Sequence, residues 1–157
     1  SKVTSALQVL NGKAKLGQKI AVIGGGMAGT EVGLFLAEQG KEVVFVEMLD
    51  TFMNGITFYQ KLVYEERFKN LKVLIHTGKR LESVADKSIT VVDRYGIRMT
   101  IAVDTVVLAV GFKPNRDLID SLKKESRLQI LEVGDCVSPR KIFDAIHEGH
   151  LAAKLLK

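Results

Sequence analysis

The chain has no tryptophan, one cysteine, two prolines and only 6% aromatic residues among its 157. Each shortage excludes something. The single cysteine, Cys136, excludes an internal disulfide and an iron–sulfur cluster built by this chain alone. It reads as a small buried hydrophobe rather than a redox centre, since it has no partner thiol. The few aromatics are not interleaved with basic residues, so no platform for stacking bases exists and nucleic-acid binding is not expected. No apolar run approaches the ~20 residues that span a bilayer. The first residues lack the charged and apolar regions of a signal peptide. His147 and His150 have no third ligand nearby in sequence and read as surface residues, not a metal site. Blocks of like charge are missing too. The 23 basic and 18 acidic residues are interspersed, so the net charge of +5 reads as solvated surface. The expectation is a cytoplasmic protein with no membrane or nucleic-acid partner.

What is present is a 46% hydrophobic composition, enough for a real core, and one stretch that organises the rest. Lys19 to Glu47, KIAVIGGGMAGTEVGLFLAEQGKEVVFVE, reads as strand, glycine turn, helix, strand and terminal acid. Gly24, Gly26 and Gly29 occupy the glycine positions of G-x-G-x-x-G directly after the apolar run Ile20 to Ile23. In a dinucleotide-binding turn the first glycine permits the bend and the second lets a pyrophosphate approach bare backbone. The third lets helix and strand pack closely. Gly25, Met27 and Ala28 belong to the same cofactor-binding turn. The following helix offers unpaired N–H groups and the positive end of its dipole to phosphate. Its apolar residues are Val32, Leu34, Phe35, Leu36 and Ala37, and Gly40 supplies a stop. Val43 to Val46 is a continuous apolar run, the mark of a strand buried on both faces.

Glu47 lies eighteen residues beyond Gly29, where a carboxylate accepts hydrogen bonds from the adenosine ribose. NADP adds a 2′-phosphate that such an acid repels and that calls for a nearby cation. Met48, Leu49 and Asp50 follow Glu47, and the next cation along the chain is Lys61. NAD(H) is therefore favoured over NADP(H).

Along the chain, residues 1–17 read as a linker, although Ala6, Leu7, Val9 and Leu10 have the spacing of a short amphipathic helix. A helix is expected over 56–68 with an apolar face of Leu62, Val63 and Tyr59, then a strand at 73–75. Short strands over 80–84, 88–92 and 98–102, with turn signals at Asp86 and Tyr95-Gly96, predict an antiparallel meander. Thr105 to Val110 returns to a buried strand, and a short helix is expected over 116–122. The tail predicts a strand over 128–133 and a helix over 141–155 with Ile142, Ala145, Ile146, Ala152 and Leu155 on its inner side. The fold class is α/β, a Rossmann-like doubly wound parallel sheet with an inserted three-stranded antiparallel β-meander. Residues 18–127 would form the NAD(H)-binding part and 128–157 a closing segment.

Three motifs carry a family resemblance: GGGMAGTE at 24–31, LAVGFKPN at 108–115 and VGDC at 133–136. With them the chain resembles the nicotinamide-nucleotide domain of two-dinucleotide-domain flavoprotein oxidoreductases. It is most similar to the old-yellow-enzyme-related branch that includes 2,4-dienoyl-CoA reductases, enoate reductases and NADH:flavin oxidoreductases. The resemblance implies that Glu31 lies near the nicotinamide end, though a solvated carboxylate favoured by the helix dipole reads equally well. It implies that Gly111 passes close to the pyridine nucleotide, beside its plain reading as a strand-to-loop turn. It implies that Asp135 holds the FAD ribityl chain. The FAD domain's own glycine turn, which in the family lies upstream of the nucleotide domain, is missing, as are the cysteines and barrel for an iron–sulfur cluster and FMN. The expectation is thus a piece of a larger enzyme, with NAD(H) bound here and FAD, FMN and the cluster completed by missing domains. Those domains, or a second copy of the chain, would cover the surface left open. The alternative is a stand-alone NAD(H) sensor or docking module, which has no reason to carry the glycine–aspartate tail.

Overall fold

The computed structural model describes residues 2–125 and 129–156. They form two compact units, Ser1–Val110 and Gly111–Lys157. The first contains β1 (Val3–Ser5), α1 (Ala6–Leu10), β2 (Lys19–Ile23), α2 (Met27–Glu38), β3 (Glu42–Val46), α3 (Phe58–Phe68), β4 (Val73–His76), β5 (Lys79–Val84), β6 (Ser88–Asp93), β7 (Arg98–Ala102) and β8 (Thr105–Leu108). The fold is Rossmann-like α/β. A five-stranded sheet in the order β1-β8-β2-β3-β4 is parallel throughout, and β5-β6-β7 form a separate antiparallel sheet.

Period-two alternation sends successive side chains of β2 to opposite faces. Ile20 and Val22 join Val32, Leu36, Val43 and Phe45 under the helices. Ala21 and Ile23 join Val46, Ile89, Val91 and Val106 under the meander. The meander thus covers the face that helices cover in a simpler doubly wound sheet. Because both faces are covered, β2 and β3 are buried along most of their length, which is why they read as unbroken apolar runs.

Residues 1–17 depart from the linker reading. Val3 pairs with Val106 and Ser5 with Leu108, so the start of the chain is an edge strand of the parallel sheet. A capping box then starts α1: the Gln8 N–H donates to Ser5 Oγ at 3.2 Å and Gln8 Oε1 accepts the Ser5 N–H. Ala6 and Val9 are buried in the helical-face core. The apolar face expected of α3 is also revised. Tyr59, Leu62 and Val63 are exposed, and contact with the core comes instead from Phe68, which sets its ring edge-on to Phe45.

The second unit holds α4 (Asp117–Glu125), a 3-10 turn at Gly134–Cys136 and α5 (Ile142–Leu155). Of the strand expected over 128–133, residue 128 lies outside the described residues and 129–133 form no strand. A strand needs a neighbour to pair with, and this unit contains only helices and turns among its described residues. Ile142, Ile146 and Leu155, expected on an inner side of α5, are exposed, and α5 has no buried residue. Ile119 of α4 is buried, and polar pairs hold the turns. Glu132 is paired with Arg116 and Lys123, and Glu148 accepts the Gly134 N–H at 2.7 Å while paired with Arg140.

Candidate functional site

The site is assembled at the carboxyl ends of β2 and β3, where an open α/β sheet offers its crevice. Four glycines make the turn, and the structure accounts for three of them. Gly24 has φ +107°, and a Cβ there would stand 2.4 Å from the Ala109 carbonyl oxygen. Its N–H donates to Val46 O at 2.9 Å, tying the turn to β3. At Gly25 a Cβ would stand 2.5 Å from the Phe52 ring. At Gly29 it would stand 1.9 Å from the Gly24 carbonyl oxygen. These three are glycine because the chain itself leaves no room.

Gly26 is different. Its φ of −76° and ψ of −169° are extended backbone open to any residue. A Cβ there would meet nothing closer than Asn54 O at 4.0 Å. Neither conformation nor internal packing calls for glycine at this position. Gly26 also begins α2 and has no side chain to cap it. Met27 and Ala28, the first two helical residues, are exposed and half-buried. The result is bare backbone at the start of a helix, whose first N–H groups have no partner within the helix, a surface suited to an anionic group.

Glu47 is buried and divides its carboxylate between two backbone donors. Oε2 accepts the Gly25 N–H at 2.6 Å and Oε1 accepts the Leu49 N–H at 2.8 Å. The acid therefore braces the glycine turn from below as well as standing at the strand end. Each carboxylate oxygen has a second lone pair, so the group keeps capacity for a ribose hydroxyl.

Glu31 points elsewhere. It is exposed on α2, where its Oε1 accepts the Tyr64 hydroxyl of α3 at 3.2 Å. Burial, reinforced by the Glu31 carboxylate, raises the Tyr64 phenol above its ordinary range. His76, at the end of β4, is lowered by burial and then by Lys79, and its carbonyl accepts the Glu47 N–H at 2.8 Å. The structure thus gathers Gly24 to Gly29 and Glu47 into one place and turns Glu31 toward its neighbouring helix.

Gly111 and Asp135 belong to the second unit. Gly111 has φ +97°, a left-handed conformation that glycine adopts without strain. Asp135 sits on the 3-10 turn, with Oδ1 accepting the Arg140 N–H at 3.3 Å. It lines a pocket of about 370 Å³ with Arg140, Lys141, Ile142, Ala145 and Ile146. Glu148, which anchors this turn, has its carboxyl held below the ordinary range by the Gly134 N–H and then by Arg140.

One residue near the site escaped the sequence reading. Arg94, in the β6–β7 turn, donates to Asp50 Oδ1 at 3.1 Å, which brings a cation to the loop after Glu47. The contact joins positions 44 residues apart, and no local pattern announces it.

The model of one family, described as pyridine nucleotide-disulphide oxidoreductase, matches residues 1–145. The chain belongs to that family. A bilirubin reductase of Mediterraneibacter gnavus is 33% identical over 155 residues, covering 98% of this chain and 24% of the relative. An NADH oxidase of Thermoanaerobacter brockii is 29% identical over 153 residues, covering 96% of this chain and 24% of the relative. Among solved structures, 2-naphthoyl-CoA reductase in complex with 2-naphthoyl-CoA superposes with a TM-score of 0.85 at 28% identity. That match covers 96% of this chain and 23% of that one. The chain spans about a quarter of the length of the curated relatives it matches. The resemblance to flavoprotein oxidoreductases drawn from the three motifs therefore holds, and the relatives are oxidoreductases. No helix among the described residues is long and apolar enough to cross a membrane.

Proposed function

We propose that this chain seats NADH in a multidomain flavin-dependent oxidoreductase. The observation that carries the reading is Gly26, a glycine that neither its φ nor its neighbours require. A side chain absent without internal cause is space kept for something outside the chain. A pyrophosphate is the group that fits bare backbone at a helix N-terminus. The residues suit the cofactor: Gly24 to Gly29 would hold the pyrophosphate, and Glu47 the adenosine ribose. NADH supplies, when bound, a hydride from its nicotinamide for transfer to FAD. The chain's own part is positioning, with the turn fixed by the Glu47–Gly25 and Gly24–Val46 hydrogen bonds.

The rest of the reading extends this seat. Glu31, once released from the Tyr64 hydroxyl, would reach the nicotinamide end, and in the second unit Asp135 would contribute to the FAD site. Domains outside the sequence would complete FAD, FMN and an iron–sulfur cluster. The names of the relatives, a bilirubin reductase and a 2-naphthoyl-CoA reductase, favour an enoyl-type or related unsaturated acceptor for the electrons. The exposed apolar side of α5 would be covered by those domains or by a second copy. A cytoplasmic setting goes with this reading.

Titration calorimetry with NADH, NADPH and FAD, together with a visible spectrum of the purified chain, tests it. NADH binding without a flavin band is expected. A chain that binds FAD tightly and ignores NADH would sink the reading, and NADPH binding tighter than NADH would remove the role given to Glu47.

A further inference from the structure

The loop after Glu47 carries a second acid, Asp50, and the fold delivers a cation to it. Asp93 closes the β6–β7 turn by accepting the N–H groups of Tyr95 and Ile97, both at 2.9 Å. That closure aims the neighbouring Arg94 at the parallel sheet. Its guanidinium lies 5.6 Å over the Tyr95 ring and donates to Asp50 Oδ1 at 3.1 Å. The receiving loop is itself pinned. Leu49 donates its N–H to Glu47 Oε1 at 2.8 Å, and its carbonyl accepts the Gly78 N–H at 2.8 Å. Asp50 therefore follows directly on a residue bound to the carboxylate that marks the ribose position. Lys79, at the start of β5, faces Asp93 at 3.9 Å instead.

From this geometry we infer that Asp50 is a cofactor-specificity residue, which occupies Arg94 and so denies a 2′-phosphate its cation. The inference rests on the NADH reading above. Discrimination against NADPH is then the joint work of two acids. Glu47 repels the extra phosphate, and Asp50 neutralises a guanidinium that the meander brings to the same loop. Arginine is the side chain best matched to phosphate, because its planar fork donates two parallel hydrogen bonds. The Asp50–Arg94 pair is mostly exposed, with side chains 65% and 66% accessible. An exposed pair of this kind adds little to folding stability, so removing the carboxylate releases Arg94 without disturbing the fold.

The test measures Kd for NADH and NADPH on the chain itself and on Asp50→Asn, Arg94→Ala and the double variant, with thermal melts alongside. Asp50→Asn is expected to tighten NADPH relative to NADH by roughly tenfold, the worth of one charge-assisted hydrogen bond. Adding Arg94→Ala is expected to abolish the gain, and NADH affinity is expected to hold in all four proteins. An unchanged NADPH-to-NADH ratio in Asp50→Asn overturns the inference while leaving the NADH seat intact. A gain that survives Arg94→Ala overturns it as well, by assigning the effect to lost repulsion alone. If the unaltered chain binds neither nucleotide, both the seat and this inference fall together.

Discussion

The Glu47 carboxylate accepts the Gly25 N–H at 2.6 Å, joining the end of β3 to the middle of the glycine turn across 22 residues. The same acid that would meet a ribose thus also shapes the turn that would meet the pyrophosphate. Glu47→Ala leaves the buried Gly25 N–H without its acceptor. It is expected to cost about 1–3 kcal/mol of stability, with Glu47→Gln costing less because an amide oxygen still accepts. Urea unfolding of both variants checks this. Equal stability of Glu47→Ala and the parent chain would deny the brace.

The glycines at 26 and 29 should part company under substitution. Gly29→Ala drives a methyl into the Gly24 carbonyl and is expected to destabilise by about 1–3 kcal/mol. Gly26→Ala enters open space in an extended conformation, so its melting temperature should stay close to that of the parent. Its NADH affinity should fall by roughly tenfold or more as the methyl blocks the phosphate approach. Paired melts and titrations decide the matter, and undiminished binding by Gly26→Ala would remove the main support for the seat.

Asp104 ties the start of β2 by accepting the Gln18 and Lys19 N–H groups at 3.0 and 2.8 Å. Those bonds, the one from Lys19 foremost, hold its carboxyl below the ordinary 3.8. Because the folded pKa is depressed, the contribution is fully present above the unfolded value and is lost as pH falls through the folded one. The gap in melting temperature between the parent chain and Asp104→Asn should be widest near neutrality and close below pH ~4. A gap independent of pH across that window would contradict the assignment.

Val9 is buried although it lies in a segment whose sequence resembles a linker. Val9→Ala is expected to cost on the order of 2 kcal/mol, measurable by chemical denaturation. A neutral result would return residues 1–17 to the status of a tether.

The parts of the fold that were legible in the sequence are those whose determinants are local. Lys19 to Glu47 announces itself because strand, turn, helix and strand each carry their own pattern within one short stretch. The meander is readable for the same reason, its turns falling at Asp86 and Tyr95-Gly96 between alternating strands. Val3–Ser5 was not legible, since a three-residue strand with a single large apolar side chain has no period to detect. On α5 the spacing of Ile142 and Ile146 identifies a shared face but not what lies against it, and in this chain that face is exposed. At the site, the glycines and Glu47 were visible as types at a spacing. The brace on Gly25 and the Arg94–Asp50 pair were not, because each depends on residues that only the tertiary fold brings together.

Gly33 has no part in the glycine turn, yet it governs where the turn ends up. A Cβ at this position would stand 2.1 Å from the Phe45 ring, so α2 rests directly on that ring. Phe45 is itself wedged among Phe52 and Phe68, with ring centroids 4.8 and 5.8 Å away. The aromatic cluster is a spacer that sets the height of the helix above the sheet, and with it the depth of the cradle at the far end. Altering the spacer, even without touching Gly26, should therefore retune how closely a ligand can approach the helix start.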